Sequence, residues 1–251
     1  MKNVLCSIIS LLLLISQVEM FSQSAFLYQG AFNGTAYEYG YNSIPKIPIK
    51  NAPEDIDWER WSMLFDGSTY RLYFMPLGKS DRLYQFGFNR NSNAYEFGYQ
   101  STPEIEVIGI PDDANVASFS MLHDGQFYRL YFKSEHNPRM LYQCAYDESN
   151  GVYVFGYQSI AEIPVTGAPS DTDWRRWSML HDGNVYRLYF MRSNTNNELY
   201  QFGYDGEGYA FGHSSTPTLK IIGMPNISLV KKFSMLHDDQ FYRIYSLQRP
   251  Q

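Results

Sequence analysis

The sequence predicts an all-β chain of four tandem repeats of about 58 residues, closed into a four-bladed β-propeller by strands from both of its ends. Three observations carry this reading. Aromatic residues make up 17% of the chain, led by 22 tyrosines and 17 phenylalanines, and such side chains favour pleated, half-buried strands. A set of short motifs returns four times at nearly constant spacing. No segment sustains the 3.6-residue apolar period of a helix.

Composition narrows the function classes. With 44% hydrophobic and 18% charged residues, the 251-residue chain can bury a sizeable core. Its formal net charge of −6 argues against nucleic acid as a partner, because phosphate contacts need clustered Lys and Arg.

The first element is a leader. Lys2 precedes an apolar run, Val4–Ile15, broken only by Cys6, Ser7 and Ser10, which is the layout of a secretory signal peptide. The run is shorter than the roughly 20 apolar residues of a membrane span, so no span is expected. Ser22 and Ser24 are small residues that suit a signal peptidase, dividing the chain into a leader at 1–24 and one domain at 25–251. The expected location is secreted, extracellular. Cys6 leaves with the leader, Cys144 stands alone, and no intramolecular disulfide can form.

The repeats run 27–82, 83–140, 141–198 and 199–251. Each opens on Leu-Tyr-Gln, at Leu27, Leu83, Leu141 and Leu199, followed by Tyr-x-aromatic-Gly starting at Tyr37, Tyr95, Tyr153 and Tyr209. A proline follows at 53, 111, 169 and 225, then Ser-Met-Leu from Ser62, Ser120, Ser178 and Ser234. Tyr-Arg-Leu/Ile-Tyr closes the unit from Tyr70, Tyr128, Tyr186 and Tyr242. Only the loop after Leu-Tyr-Gln varies in length, as a surface hairpin tip does.

Inside a unit the grammar is β. Asp66-Gly67, Asp124-Gly125 and Asp182-Gly183 each separate two strand-like runs, a strong hairpin signature; the fourth repeat has Asp238-Asp239. Leu83–Phe88 and Tyr95–Tyr99 supply two further strands, and Ser101–Phe119 reads as a Pro- and Gly-punctuated connector with room for one helical turn. Each unit is therefore four strands plus a connector. Besides a propeller, four such units allow an open solenoid or two eight-stranded sandwiches; a solenoid needs polar capping repeats and would expose unpaired edges, and neither end of this chain shows caps. Grouping strands by the connectors yields three continuous blades and a fourth assembled from two C-terminal and two N-terminal strands.

In that register the blades resemble the hemopexin-like four-bladed propeller. The likeness rests on Gly98-Tyr99 with Pro103, Ile105, and Gly109-Ile110-Pro111-Asp112-Asp113-Ala114 before the strand at Phe119. The unit here is longer, the Asp-Ala pair is clear only at Asp113-Ala114, and the closing disulfide is absent. The resemblance implies an ion on the propeller axis, held by inner-strand carbonyls; no cofactor is expected from the side chains themselves.

Candidate chemistry repeats with the fold, whereas catalysis ordinarily uses one asymmetric set of groups. His123-Asp124, His181-Asp182 and His237-Asp238 have the makings of acid–base pairs, but Phe65 holds the histidine place in the first repeat. Arg71, Arg129, Arg187 and Arg243 recur with the turn aspartates, which favours internal bridges over anion sites. Gln29, Gln85, Gln143 and Gln201 are expected to satisfy neighbouring backbone. His136 and His213 are solitary. The tryptophans divide the repeats into pairs: Asp57-Trp58-Glu59-Arg60-Trp61 matches Asp173-Trp174-Arg175-Arg176-Trp177, where the other repeats carry Val116 with Phe119 and Val230 with Phe233. A two-blade unit was thus duplicated. Trp61 and Trp177 read as core. Trp58 and Trp174 divide between packing and a stacking platform for a sugar ring, with Arg60 and Arg176 beside them as candidate ligand-binding residues.

These features favour a secreted, non-enzymatic, multivalent binding protein with a lectin-like preference for glycans. An adhesion domain with an extracellular protein ligand is the alternative. A secreted hydrolase needs a polar cluster that breaks the repeat, and none is visible. Asn33-Gly34-Thr35 and Asn226-Ile227-Ser228 fit the N-glycosylation pattern, relevant in a eukaryotic source.

Overall fold

A computed structural model describes residues 25–193, 195, 197–225 and 231–249. The leader, Asn226 and Val230 lie outside the described residues. Every regular element among the described residues is a strand, and no helix there is long and apolar enough to cross a membrane.

The first two strands, β1 (Phe26–Phe32) and β2 (Ala36–Tyr39), are followed by a short β3 (Ile47–Lys50). The next blade comprises β4 (Ile56–Phe65), β5 (Tyr70–Pro76), β6 (Arg82–Asn89) and β7 (Ala94–Phe97), with β8 (Glu104–Ile108) after it. Then come β9 (Ala114–His123), β10 (Tyr128–Ser134), β11 (Met140–Asp147), β12 (Val152–Phe155) and β13 (Glu162–Thr166). The third set is β14 (Thr172–His181), β15 (Tyr186–Arg192), β16 (Glu198–Tyr204), β17 (Tyr209–Phe211) and β18 (Thr218–Ile222). Last are β19 (Phe233–His237) and β20 (Tyr242–Gln248).

Pairing makes four antiparallel meanders: β4-β5-β6-β7, β9-β10-β11-β12, β14-β15-β16-β17, and β19-β20-β1-β2. The last joins both ends of the chain, with Phe26 opposite Gln248 and Ala31 opposite Arg243. This is the two-plus-two closure read from the motif order, and it leaves a closed all-β propeller.

The connectors differ from the expectation of a loop with a helical turn. Each holds a strand. In β8, Ile105 pairs with Leu83 of its own blade, while Val107 runs parallel to Tyr153 of the next. Equivalent stitches are β13 to β17, β18 to β2 and β3 to β7. Glu104–Ile108 alternates exposed and buried residues, the two-residue period of a strand with one face inward. Flanking Pro103 and Gly109 had disguised a strand as a linker. The result is an outer belt that covers each blade's outermost edge.

The inner strands solve the opposite edge. An innermost strand has no ladder partner on the axial side, so its inward amides need acceptors. Ser62 Oγ accepts the Met121 amide at 2.9 Å, Ser120 accepts Met179 at 2.9 Å, Ser178 accepts Met235 at 2.8 Å and Ser234 accepts Met63 at 3.0 Å. The recurring Ser-Met-Leu is the sequence signature of this ring. Apolar packing then fills the four blade interfaces, each with its own buried cluster; Trp61 anchors one and Trp177 another.

Candidate functional site

The hairpin turns build the site. Asp66 Oδ1 accepts the Ser68 and Thr69 amides at 3.0 and 2.8 Å, shaping the turn, and its Oδ2 accepts Arg71 Nε at 2.8 Å. The same Oδ2 accepts the Tyr128 hydroxyl of the next blade at 3.2 Å. Asp124 likewise takes Arg129 and Tyr186, Asp182 takes Arg187 and Tyr242, and Asp238 takes Arg243 and Tyr70. The internal Arg–carboxylate bridges read from the sequence are present, and their tyrosine partners extend them into a ring that crosses every junction. Burial opposes the Asp66 charge, but hydrogen bonds from Ser68, Arg71 and the Thr69 backbone outweigh it and hold the carboxyl at about 2.

The other end of each guanidinium points outward along the junction. Arg71, Arg129 and Arg187 donate through a terminal nitrogen to the carbonyls of Gln100, Gln158 and Ser214, and Arg243 donates to Asn42. All four acceptor residues have positive φ, between 40° and 47°, so the tight corner after each Tyr-x-aromatic-Gly is held by the arginine.

Between these corners and the neighbouring blade lie pockets of one repeated composition. One is lined by Arg71, Tyr73, Gln85, Thr102, Tyr128 and Tyr146, with a volume of about 210 Å³. The fourth-to-first junction has Arg243, Tyr245, Gln29, Ile44, Tyr70 and Phe88, about 190 Å³. The second-to-third has Arg129, Tyr131, Gln143, Ile160, Tyr186 and Tyr204, about 390 Å³. By register the last junction carries Arg187, Tyr189, Gln201, Thr216, Tyr242 and Phe32. Buried tyrosines adjoin one another across the junction behind the pockets, Tyr73 beside Tyr153 and Tyr131 beside Tyr209. Gln29 shows the glutamine's role: its Nε2 donates to the Tyr245 hydroxyl and its Oε1 accepts the Ile44 amide at 2.9 Å. The Ser101 and Ser159 hydroxyls have no partner among the described residues, and both residues line pockets. Each pocket thus offers one cation, an amide, hydroxyls and flat aromatic walls.

The other candidate residues sit elsewhere. Trp58 and Trp174 are half-buried at the start of the inner strands, the end remote from the turns, and line none of these three pockets. A bulge there leaves Ile56 opposite Pro76 and Trp61 opposite Phe74. Trp58 meets Phe74 edge to face at 5.3 Å, and Trp174 meets Phe190 at 4.8 Å. Arg60 is buried; its Nε reaches Asp57 at 2.8 Å and it donates to the Lys79 and Pro76 carbonyls. Arg176 pairs with Asp173 at 2.6 Å in the same way. His123, His181 and His237 stack on Tyr128, Tyr186 and Tyr242 at 4.5–4.7 Å, as Phe65 stacks on Tyr70. Their role in the fold is that of an aromatic plate.

Lys232 occupies the axis. It is buried, and its Nζ runs from the fourth blade to the Phe119 carbonyl of the second, opposite across the ring, at 2.6 Å. Nζ also lies 4.5 Å from the Phe119 ring centre. Lys232 takes up the Phe119 carbonyl, so this inner-strand acceptor is not free for the ion that the hemopexin resemblance implies. Among the described residues no group of three His, Cys, Asp or Glu side chains gathers to hold a metal.

No family model and no curated protein sequence matches the chain. Solved structures do. AofleA from Arthrobotrys oligospora shares 14% identity at a TM-score of 0.42, over 91% of this chain and 80% of its own. A fucose-specific lectin from Aleuria aurantia shares 10% at 0.38, over 80% of this chain and 59% of its own. A putative 6-phosphogluconolactonase from Bacteroides fragilis shares 10% at 0.34, over 78% and 55%.

Proposed function

We propose that the chain is a secreted, non-enzymatic, lectin-like protein that binds glycans in the pockets between its blades. The observation that carries this reading is the repetition of one polar–aromatic pocket around the ring. Two of these three pockets are smaller than the roughly 300–1,000 Å³ of drug-sized ligand sites, a size that suits a single sugar unit. Tyrosine faces stack on a pyranose ring while guanidinium, amide and serine groups meet its hydroxyls. Equivalent weak sites on one rigid ring gain strength through multivalency. Catalysis finds less support, because the arginine, the glutamine and the two junction tyrosines of one pocket recur in the others. Trp58 and Trp174, with Arg60 and Arg176, are a proposed second contact zone.

Glycan-array screening of residues 25–251, followed by agglutination of coated beads, tests the proposal. Binding on the array together with cross-linking is expected; a blank array would overturn it. The adhesion alternative draws on exposed Ile108 and Ile222 in alternate belt strands. Capture of a deglycosylated protein partner, lost on changing both to Ser, would favour that reading.

A further inference from the structure

The junctions are built alike, yet one rim position alternates around the ring. It holds Ile44 at the fourth-to-first junction, Thr102 at the first-to-second and Ile160 at the second-to-third. Thr216 holds it, by register, at the third-to-fourth. Backbone bonds fix this correspondence: the amides of Gln85, Gln143 and Gln201 donate to the carbonyls of Pro103, Ala161 and Pro217, each one residue beyond the rim position. The belt strands alternate in step, with Pro48 and Pro164 where the others have Glu106 and Lys220. So do the bulges, with Trp58 and Trp174 against Val116. The rim difference therefore belongs to the duplicated two-blade unit.

Its chemistry is not neutral. Ile160 is 52% exposed at a pocket mouth, a branched apolar side chain in the place where the neighbouring junction has a hydroxyl. Thr102 can donate to or accept from a ligand hydroxyl, whereas isoleucine offers only dispersion and the removal of apolar surface from water.

We propose, building on the glycan reading above, that the pockets form two specificity classes in alternation. The Ile44 and Ile160 sites receive a sugar unit that presents a methyl or other apolar substituent to the rim. The Thr102 and Thr216 sites receive one that presents a hydroxyl. Like sites lie on opposite sides of the ring, so one molecule joins two kinds of glycan terminus.

Calorimetric titration with methyl α-L-fucopyranoside and methyl α-L-galactopyranoside tests this, because the two differ only in methyl against hydroxymethyl. The fucoside is expected to saturate about two sites per chain and the galactoside about two others. Changing Ile44→Thr with Ile160→Thr should weaken the fucoside about tenfold or more, with the folded state verified by circular dichroism because Ile44 also packs against a buried cluster. Thr102→Ile with Thr216→Ile should raise the fucoside sites to about four. Equal stoichiometry and affinity for both sugars, or a methyl preference that survives the isoleucine changes, would overturn the two-class proposal. Array glycans that bind while neither monosaccharide gives heat overturn it too, and leave the glycan reading standing. A blank array removes both.

Discussion

The Ser120 hydroxyl accepts the backbone amide of Met179 in the neighbouring blade at 2.9 Å, and both groups are buried. The bond is one of four that run head to tail around the axis. Each satisfies an amide that an innermost strand cannot pair with a ladder neighbour. A serine there is consequently worth more than its small size suggests.

Ser120→Ala leaves the Met179 amide buried without an acceptor, at a cost of about 1–3 kcal/mol. Urea unfolding should show a lower midpoint at constant slope, and Ser178→Ala should behave alike. A midpoint unchanged within error for both variants would remove the serine ring from the account of stability.

Ring closure makes the domain cooperative. Removing Leu27–Ser43 deletes most of β1 and all of β2, bares the edge of β20, and takes buried Leu27, Ala31 and Tyr37 from the core. The shortened protein should melt at least 10 °C lower, since about 1 kcal/mol moves a domain of this size by roughly 2–4 °C. Melting within about 2 °C of the intact domain would contradict closure by both chain ends.

The bulge tryptophans are placed to pack. Trp58 lies edge to face on Phe74 within the first interface cluster, so Trp58→Val should cost about 1–2 kcal/mol and Trp61→Val more, about 3 kcal/mol. Array binding should persist in the Trp58 variant through the pockets between the blades, which Trp58 does not line. Unaltered stability together with lost binding would make Trp58 a ligand platform instead.

Two buried lysines give the protein an alkaline optimum. Burial lowers the Lys232 ammonium to about 7, reinforced by Arg60 and opposed by Asp57. Burial lowers Lys133 to about 8, with Asp173 opposing and Arg175 assisting. Between these values and the ordinary 10.5 the unfolded chain binds more protons than the folded one, so stability rises with pH across that window. Above it, buried tyrosines such as Tyr73 and Tyr131, held well above their usual 10 by burial, reverse the trend as the unfolded chain ionises. Melting temperature should climb from pH 7 to about 9 and fall beyond about 10. Lys232→Met with Lys133→Met should flatten the climb; a climb of the same size in that variant would assign it to other groups.

Much of the architecture was legible because it is periodic. The Ser-Met-Leu and Tyr-Arg motifs mark inner and second strands four times over, and their order around the connectors matches the pairing of β1 with β20. The belt was missed for a local reason: five alternating residues, Glu104–Ile108, lie between Pro103 and Gly109, and punctuation outweighed alternation. The pockets were missed for a global one. Arg71, Gln85 and Tyr128 come from two blades and three strands, and no spacing along the chain brings them together. The fourfold columns of Arg, Gln and Tyr were visible, but each column alone is explained by internal bonding. The tryptophans stand out because they divide the repeats into pairs, whereas the wall that forms the pocket is made of tyrosine, the commonest aromatic residue in the chain. Lys232 carried no signal, since a lysine beside Lys231 reads as solvent-exposed.

The pairing of β1 with β20 has a mechanical consequence. Phe26 faces Gln248 at one end of this ladder and Ala31 faces Arg243 at the other. The two strands are antiparallel and leave the blade at the same end. Tension applied through chain attached there loads the Phe26 end first, where Phe26 pairs with Gln248 and with Pro48 of β3, then the next rung, as a zipper opens, rather than shearing all rungs at once. Such a joint yields at low force and closes again one rung at a time when the load drops. Held instead through ligands in opposite pockets, the same ring is pulled across the blades, where belt, serine ring and packed interfaces share the strain. The molecule is therefore compliant along its backbone and stiff across its face.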